Sequence, residues 1–309
     1  MLRLLLRRLA QTVPIVAAVA LIVFVLFSVI PGNILGAGDD GRQLDPAVAA
    51  RLTKELQLDQ PLPARFAGYL GRLAVGDLGQ SFRTREPVTT MISGRLWPSL
   101  KLTLAAMAFA MAIGVPLGFL AALRQGGTLD ALSMVAAVSG LSLPAFWLGL
   151  LLMYVVAVKL QWLPTFGYGN GGMAHLVLPA ITLGFGYAAL LARTTRAAVL
   201  DVLDADFIRT ACAKGLSQSR IMIWHVGRNT LVLILTTLGL QFGTMMGQAV
   251  VVEKLFSWPG LGSLLVDSVF QRDIPVIQGC ILVIVLFFLL VNTLTDIAYS
   301  LVDPRIRYS

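Results

Sequence analysis

The chain has 309 residues, of which 57% are hydrophobic and only 13% charged, whereas a water-soluble domain carries roughly 25% charge; its solvent is lipid. The net charge of +8 sits largely in short clusters beside apolar runs, a topology signal rather than a nucleic-acid footprint. The two cysteines, Cys212 in a polar insert and Cys280 in an apolar run, suggest no disulfide framework.

Six apolar runs are long enough to cross roughly 30 Å of hydrocarbon at about 1.5 Å per residue: 9–30, 99–123, 131–158, 177–198, 229–252 and 276–300. The first resembles a signal peptide, but its apolar part of about 18 residues exceeds the usual roughly 7–15, and Gly36-Ala37-Gly38 is a poor cleavage site; we read it as a retained span. Arg3, Arg7 and Arg8 precede it. An even number of spans returns Asp303 to Arg307 to the same side, so both termini are expected in the cytoplasm. Loops on that side carry Arg124, Arg193, Arg196, Arg209, Lys214, Arg220 and Arg228, against Lys159, Lys254 and Arg272 in the short external loops, which fits the positive-inside rule.

The external segment, 31–97, predicts two amphipathic helices. Asp45 and Pro46 form a helix start, followed by Val48, Ala49, Leu52 and Leu56 at helical spacing. Ala64 to Leu73 carries Phe66, Tyr69, Leu70 and Leu73 on one side, before the turn-like GDLGQSF at Gly76 to Phe82. These pieces either pack on the rim of the membrane domain or receive a delivered solute or its carrier. In the third run Pro144 removes a backbone donor and predicts a kink or break.

A polar insert, Leu200 to Asn229, interrupts the apolar pattern and must lie outside the hydrocarbon. Asp204 and Asp206 near the start of a helical stretch, with Arg209 and Lys214 near its end, complement the helix dipole. Gly215 is placed to end that helix in the left-handed conformation, and Ser217 to cap a second short helix. The result is a shaped knob on the membrane surface.

In the fifth run Gly239, Gly243 and Gly247 recur every four residues, a smooth face for close helix packing that Gly114 and Gly118 repeat more weakly in the second run. Thr236, Thr237, Gln241, Thr244 and Gln248 must face a partner, the bundle or a wet path. Asn292, Asp296 and Asp303 approach the end of the last span, where Asp296 reaches water or a neighbouring cation. His175 and His225 fall on opposite sides of the membrane, which argues against an intrachain metal site. None of Lys54, Lys101, Lys159, Lys214 and Lys254 has the phosphate-cradling glycine context, and no span offers a lone buried charged pair of the ion-coupled kind. The reading is a passive half energised by a partner. An independent secondary carrier or channel is the alternative; a membrane enzyme would need an acid–base or nucleophile set that is not evident.

These residues resemble the permeases of binding-protein-dependent ABC importers. RTACAKGLS, Arg209 to Ser217, is similar to their EAA loop, and its continuation to HVGRN, His225 to Asn229, is similar to the dipeptide, oligopeptide and nickel branch. The likeness spans nearly the whole chain: RRLAQTVPIV at Arg7 to Val16, GDLGQSF, LSLPAFWLGLLL at Leu141 to Leu152, VKLQWLPTFGY at Val158 to Tyr168, LPAITLGF at Leu178 to Phe185, FSWPGLGSLL at Phe256 to Leu265 and DPRIRY at Asp303 to Tyr308. Two departures stand out: Pro31-Gly32-Asn33-Ile34 where the family has an acidic residue and a second proline, and Leu233 where a proline often follows the RN pair; the second implies a straighter fifth span.

The resemblance implies an all-α, polytopic membrane protein, a single permease domain over 1–309 with six transmembrane helices and the type I importer fold. It implies a prokaryotic inner membrane, a second homologous permease, two cytoplasmic ATPases that hold ATP and Mg, and an external solute-binding protein, with no cofactor in this chain. Arg209, Thr210, Ala211, Ala213, Lys214, Gly215 and Leu216 would form a coupling helix in the loop at 199–228. Gly239, Gln241, Gly243, Thr244, Gly247 and Gln248 are candidates for helix packing or the solute path. Di- or oligopeptides are the expected solute, with nickel chelates, glutathione-like compounds and oligosaccharides as alternatives.

Overall fold

Hydrocarbon offers the backbone no partners, so a lipid-exposed segment must satisfy its own N–H and C=O groups. A computed structural model describes residues 2–29 and 60–302, and among these helix is the only regular structure apart from one isolated bridge between Gln80 and Pro87. The predicted helix after Asp45 and the tail from Asp303 lie outside the described residues.

Helix α1 covers Leu2–Val29. Helix α2, Leu62–Ala74, begins behind Pro61, and α3, Val88–Leu123, behind Pro87, since proline's fixed φ suits a helix start where the missing N–H costs nothing. Helix α4, Thr128–Ser142, stops at the extended pair Leu143 and Pro144; α5, Ala145–Leu152, follows and widens into a π-helical turn, Met153–Lys159. The chain bends by 103° at this break, as Pro144 predicts. Helix α6 is Met173–Leu203 and α7 is Asp206–Ala213. Helix α8, Gln218–Arg220, passes through π-helical Ile221–Gly227 into α9, Arg228–Leu255. Helices α10, Leu261–Gln271, and α11, Ile274–Val302, complete the described chain. Among the described residues five helices are long and apolar enough to span a membrane, six when the bent α4–α5 pair is counted as one broken span.

Most helices run a few residues past the predicted apolar runs, and two differences bear on the packing. The second span starts eleven residues earlier than 99, because Val88 and Ile92 bury one face against Leu261, Leu264, Val276 and Cys280. Thr89, Thr90 and Ser93 stay exposed on the other face, and they mask the apolar periodicity. The short helix expected after Ser217 has no end of its own: Ile221 and Arg228 remain right-handed helical, so it runs on into the fifth span. Ser217 is extended at the helix start but makes no side-chain cap bond.

The core is built on α3 against α6. Gly114, Gly118 and Gly184 let the backbones meet, for a Cβ on Gly114 would lie 2.5 Å from the Ala188 carbonyl oxygen and one on Gly184 2.5 Å from that of Ala106. Leu102, Ala106, Leu178, Leu191 and Met245 are almost fully buried around this seam. Helix α1 joins through an ion pair between Arg8 and Asp296 of α11, the neighbouring-cation role expected of Asp296. That pair puts the start of α1 beside the end of α11, on what we term the terminal face; the segments 60–87, 160–172 and 256–273 gather at the opposite face. Helix α2 packs on the rim: Phe66 and Tyr69 meet Phe24 at ring-centre distances of 5.3 and 5.8 Å, with Leu282 buried in the same cluster.

Candidate coupling helix and solute path

Helix α7 is short and its dipole is unassisted at one end. Asp206 stands in its first turn, where a carboxylate is favourable, but Asp204 closes α6 instead, its N–H bonding to the Leu200 carbonyl. At the other end the Gly215 N–H donates to the Cys212 carbonyl at 2.9 Å and the Leu216 N–H to the Ala211 carbonyl at 3.4 Å. With Gly215 at φ +74°, this is a Schellman turn, and Leu216 packs in the same cluster as Ala211, the apolar contact that accompanies such turns.

The candidate set therefore splits into two faces. Ala211 and Leu216, with Ile208, pack against Val199, Ile221 and Val226 and hold α7 to the bundle. Arg209, Thr210, Ala213, Lys214 and Gly215 are exposed. Phe207 joins them with 44% of its surface exposed, an outward aromatic that no motif in the sequence singles out. Arg209 lies 3.6 Å from Asp206 in a fully solvated pair of little energetic weight.

Two turns before the end of α6, Arg196 forks onto Asp130 of α4, Nε to Oδ1 at 2.5 Å and Nη2 to Oδ2 at 2.8 Å, while the Gly126 N–H donates to Oδ2 at 3.0 Å. In the sequence Arg196 is visible only as a topology charge.

The glycine face of α9 also divides. A Cβ on Gly239 would strike Thr295, and one on Gly243 would strike Phe288, so these two set the contact with α11; Gly247 has nothing within 4 Å. Gly247 and Gln248 are exposed. Gln248 lines a cavity of about 480 Å³ at the α4–α5 break, with Leu143, Pro144, Thr182, Gly186 and Tyr187. The Tyr187 hydroxyl lies 3.2 Å from Thr244 Oγ1. Irregular backbone at membrane depth is tolerated where it lines a cavity, and here it does. Gln241 lies apart from this group: it is 4% exposed and its amide makes no hydrogen bond.

At the opposite face a buried acid missed in the sequence appears. Glu253 is 1% exposed near the end of α9. Ser99 Oγ donates to its Oε1 at 2.5 Å and the Ser263 N–H to its Oε2 at 3.0 Å. Gly260 and Gly262 leave room for the carboxylate, and that glycine pair after an intramembrane Glu was the available signal. Trp258, fully buried, donates its indole N–H to the Pro98 carbonyl at 2.9 Å and meets Tyr168 edge-on at 4.8 Å. Asp273 accepts from Ser81 Oγ and from the Phe82 N–H at 3.1 Å, fastening GDLGQSF to the α10–α11 corner.

Comparison with known proteins places this architecture. The profile described as the binding-protein-dependent transport system inner membrane component matches residues 114–308, and that of the N-terminal part of such membrane components matches 1–105. The glutathione transport system permease protein GsiC of Pectobacterium atrosepticum is 44% identical over 308 residues, and that of Escherichia coli K12 43% over 310, each covering 100% of both chains. Two crystal forms of the inward-facing methionine ABC transporter MetNI share the fold at TM-scores of 0.59 and 0.60 with 19% and 18% identity, covering 71% of this chain and 99% of theirs. The chain belongs to the family of inner membrane components of binding-protein-dependent transport systems: it is a multi-pass permease subunit of an ABC importer, in which separate subunits hydrolyse ATP.

Proposed function

We propose that this permease pairs with a second, homologous but distinct permease to enclose a path for short peptides of the glutathione class. In this reading both termini and α7 are cytoplasmic, α7 seats in the groove of an ATPase that carries ATP and Mg, a second ATPase serves the other permease, and the opposite face receives the solute-binding protein. The observation that carries the coupling role is the two-faced α7, anchored by Ile208, Ala211 and Leu216 and presenting Phe207, Arg209, Thr210, Ala213 and Lys214 outward. Orientation is supported by Arg124, Arg193, Arg196, Arg209, Lys214, Arg220 and Arg228, all on or near the terminal face. The substrate class is supported by two full-length relatives named as glutathione permeases. Tyr187 and Gln248 on the cavity wall, with Thr244 beside the Tyr187 hydroxyl, supply the donors and acceptors that peptide groups need.

The test is to tag the chain, extract it in mild detergent and identify by mass what co-purifies in stoichiometric amounts, then to measure glutathione and dipeptide uptake in proteoliposomes. A second permease and two P-loop ATPases, with ATP-dependent uptake, are expected. Recovery of the chain alone, still moving solute without ATP, would overturn the reading in favour of an independent carrier.

A further inference from the structure

Helix α7 follows α6 after only Asp204 and Ala205, so a displacement of α7 is delivered to the end of α6. Arg196 lies there, and its planar fork fixes both the distance and the angle to Asp130, which a point charge would not. Asp130 is in the first turn of α4 and is itself 5% exposed.

Away from this pair, α4 meets α6 through apolar surface alone. Leu132, Val135 and Val138 are 70%, 63% and 57% exposed on its outer face, while Gly140 packs closely on Ala189 and Phe185 of α6, where an added Cβ would lie 3.0 and 3.2 Å away. Among the described residues no other side-chain hydrogen bond joins α4 to α6. The far end of α4 is the extended Leu143–Pro144 break that lines the cavity. A helix fixed to α6 by a directional bond at one end and freed by a break at the other behaves as a lever.

We propose that Asp130 and Arg196 are positioning residues that pass the motion of α7 through α4 to the cavity at the Pro144 break. This rests on the coupling reading above. When α6 is drawn by α7, the fork carries the base of α4 with it, and the helix pivots at Leu143 and Pro144. The cavity wall formed by Gly140 and Leu141, on the swinging side of that pivot, then moves relative to Gln248 on α9. Apolar contacts between α4 and α6 slide without a directional penalty, so without the fork α7 would move while the cavity did not.

The test uses the whole importer, with both permeases, both ATPases and the binding protein, in proteoliposomes, reading labelled glutathione moved per ATP hydrolysed. Arg196→Lys keeps the charge and loses the fork; Asp130→Asn loses the charge. Each is expected to assemble and hydrolyse ATP near the parent rate while solute moved per ATP falls about tenfold, the scale of an allosteric coupling between sites. The double exchange Asp130→Arg with Arg196→Asp is expected to recover most of it. An unchanged ratio in both single variants, or uptake lost only in proportion to assembled complex, would overturn the proposal, as would a double exchange no better than the singles. Should Asp130→Asn fail to assemble, Arg196→Lys decides by the same ratio. Parent vesicles that move glutathione without ATP would remove the coupling reading itself, and this lever with it.

Discussion

Ser99 Oγ and Glu253 Oε1 lie 2.5 Å apart inside the bundle and tie α3 to α9. The same two side chains begin a third helix: Ser99 Oγ accepts the Leu261 N–H at 2.7 Å and Glu253 Oε2 the Ser263 N–H at 3.0 Å, so donors left over in the first turn of α10 are satisfied. A buried acid in a transporter invites an ion-coupling role, but both oxygens of Glu253 are already committed to hydrogen bonds.

Glu253→Ala should therefore destabilise the protein by about 3 kcal/mol or more, since it strands the Ser263 N–H and Ser99 together. Glu253→Gln keeps an acceptor and should cost about 1–2 kcal/mol. Thermal unfolding in detergent measures both. A Glu253→Gln variant with parent stability but no uptake would show that the acid serves transport rather than assembly.

Gly215 sits at φ +74°, and a Cβ placed on it would meet nothing within 4 Å, so only the backbone conformation resists substitution. Gly215→Ala should cost about 1–2 kcal/mol locally. Gly215→Pro cannot adopt this φ and also loses the N–H bonded to Cys212; it should abolish uptake while membrane insertion persists, as should an acidic Ala213→Glu on the outward face. Normal uptake by either of these stably expressed variants would remove the coupling role of α7.

Much of this architecture could be read from residue order alone. Apolar run length set six crossings, Pro144 set the broken one, and Gly215 set the end of α7. What could not be read has a common cause: it depends on which elements meet in space. Glu253 looks isolated until Ser99 and Ser263 arrive from 154 residues before it and 10 after. Arg196 looks like a topology charge until Asp130 of another helix meets it. The candidate coupling residues form one group because they adjoin in sequence, but helical geometry turns Ala211 inward and Ala213 outward.

The three glycines of α9 give a clean contrast. Gly239→Ala meets Thr295 and Gly243→Ala meets Phe288, so each should destabilise by about 1–3 kcal/mol through overpacking. Gly247→Ala enters open space and should stabilise by about 0.5–1 kcal/mol, the gain from replacing glycine within a helix. Equal effects at all three positions, measured by thermal unfolding, would mean that the face is not divided between the α11 contact and open surface.

Burial raises the Tyr69 phenol from 10.0 to about 12, with Arg72 opposing the shift weakly. The hydroxyl has no hydrogen-bond partner. Because the folded protein holds the neutral form, its contribution is complete below pH 10 and is lost as the pH rises through about 12. The packing of α2 on Phe24 should loosen over that interval, followed by limited proteolysis after Ala74, and Tyr69→Phe should remove the Tyr69 share of the alkaline response.

Gln241 and Gln248 stand two turns apart on α9 and should respond oppositely to the loss of their amides. Gln241 is buried with neither amide atom bonded, and an unsatisfied buried amide is costly. Gln241→Met should raise stability by about 1–2 kcal/mol and leave uptake intact. Gln248 is exposed and lines the cavity beside Tyr187 and Pro144, so Gln248→Leu should leave stability within about 0.5 kcal/mol. If the cavity is the proposed solute path, uptake should fall with the loss of this polar group from its wall. Stability and uptake measured on the same preparations separate the two roles. Loss of uptake in a fully stable Gln241→Met variant would reverse the assignment, meaning that the buried amide meets water or solute at another stage of the transport cycle.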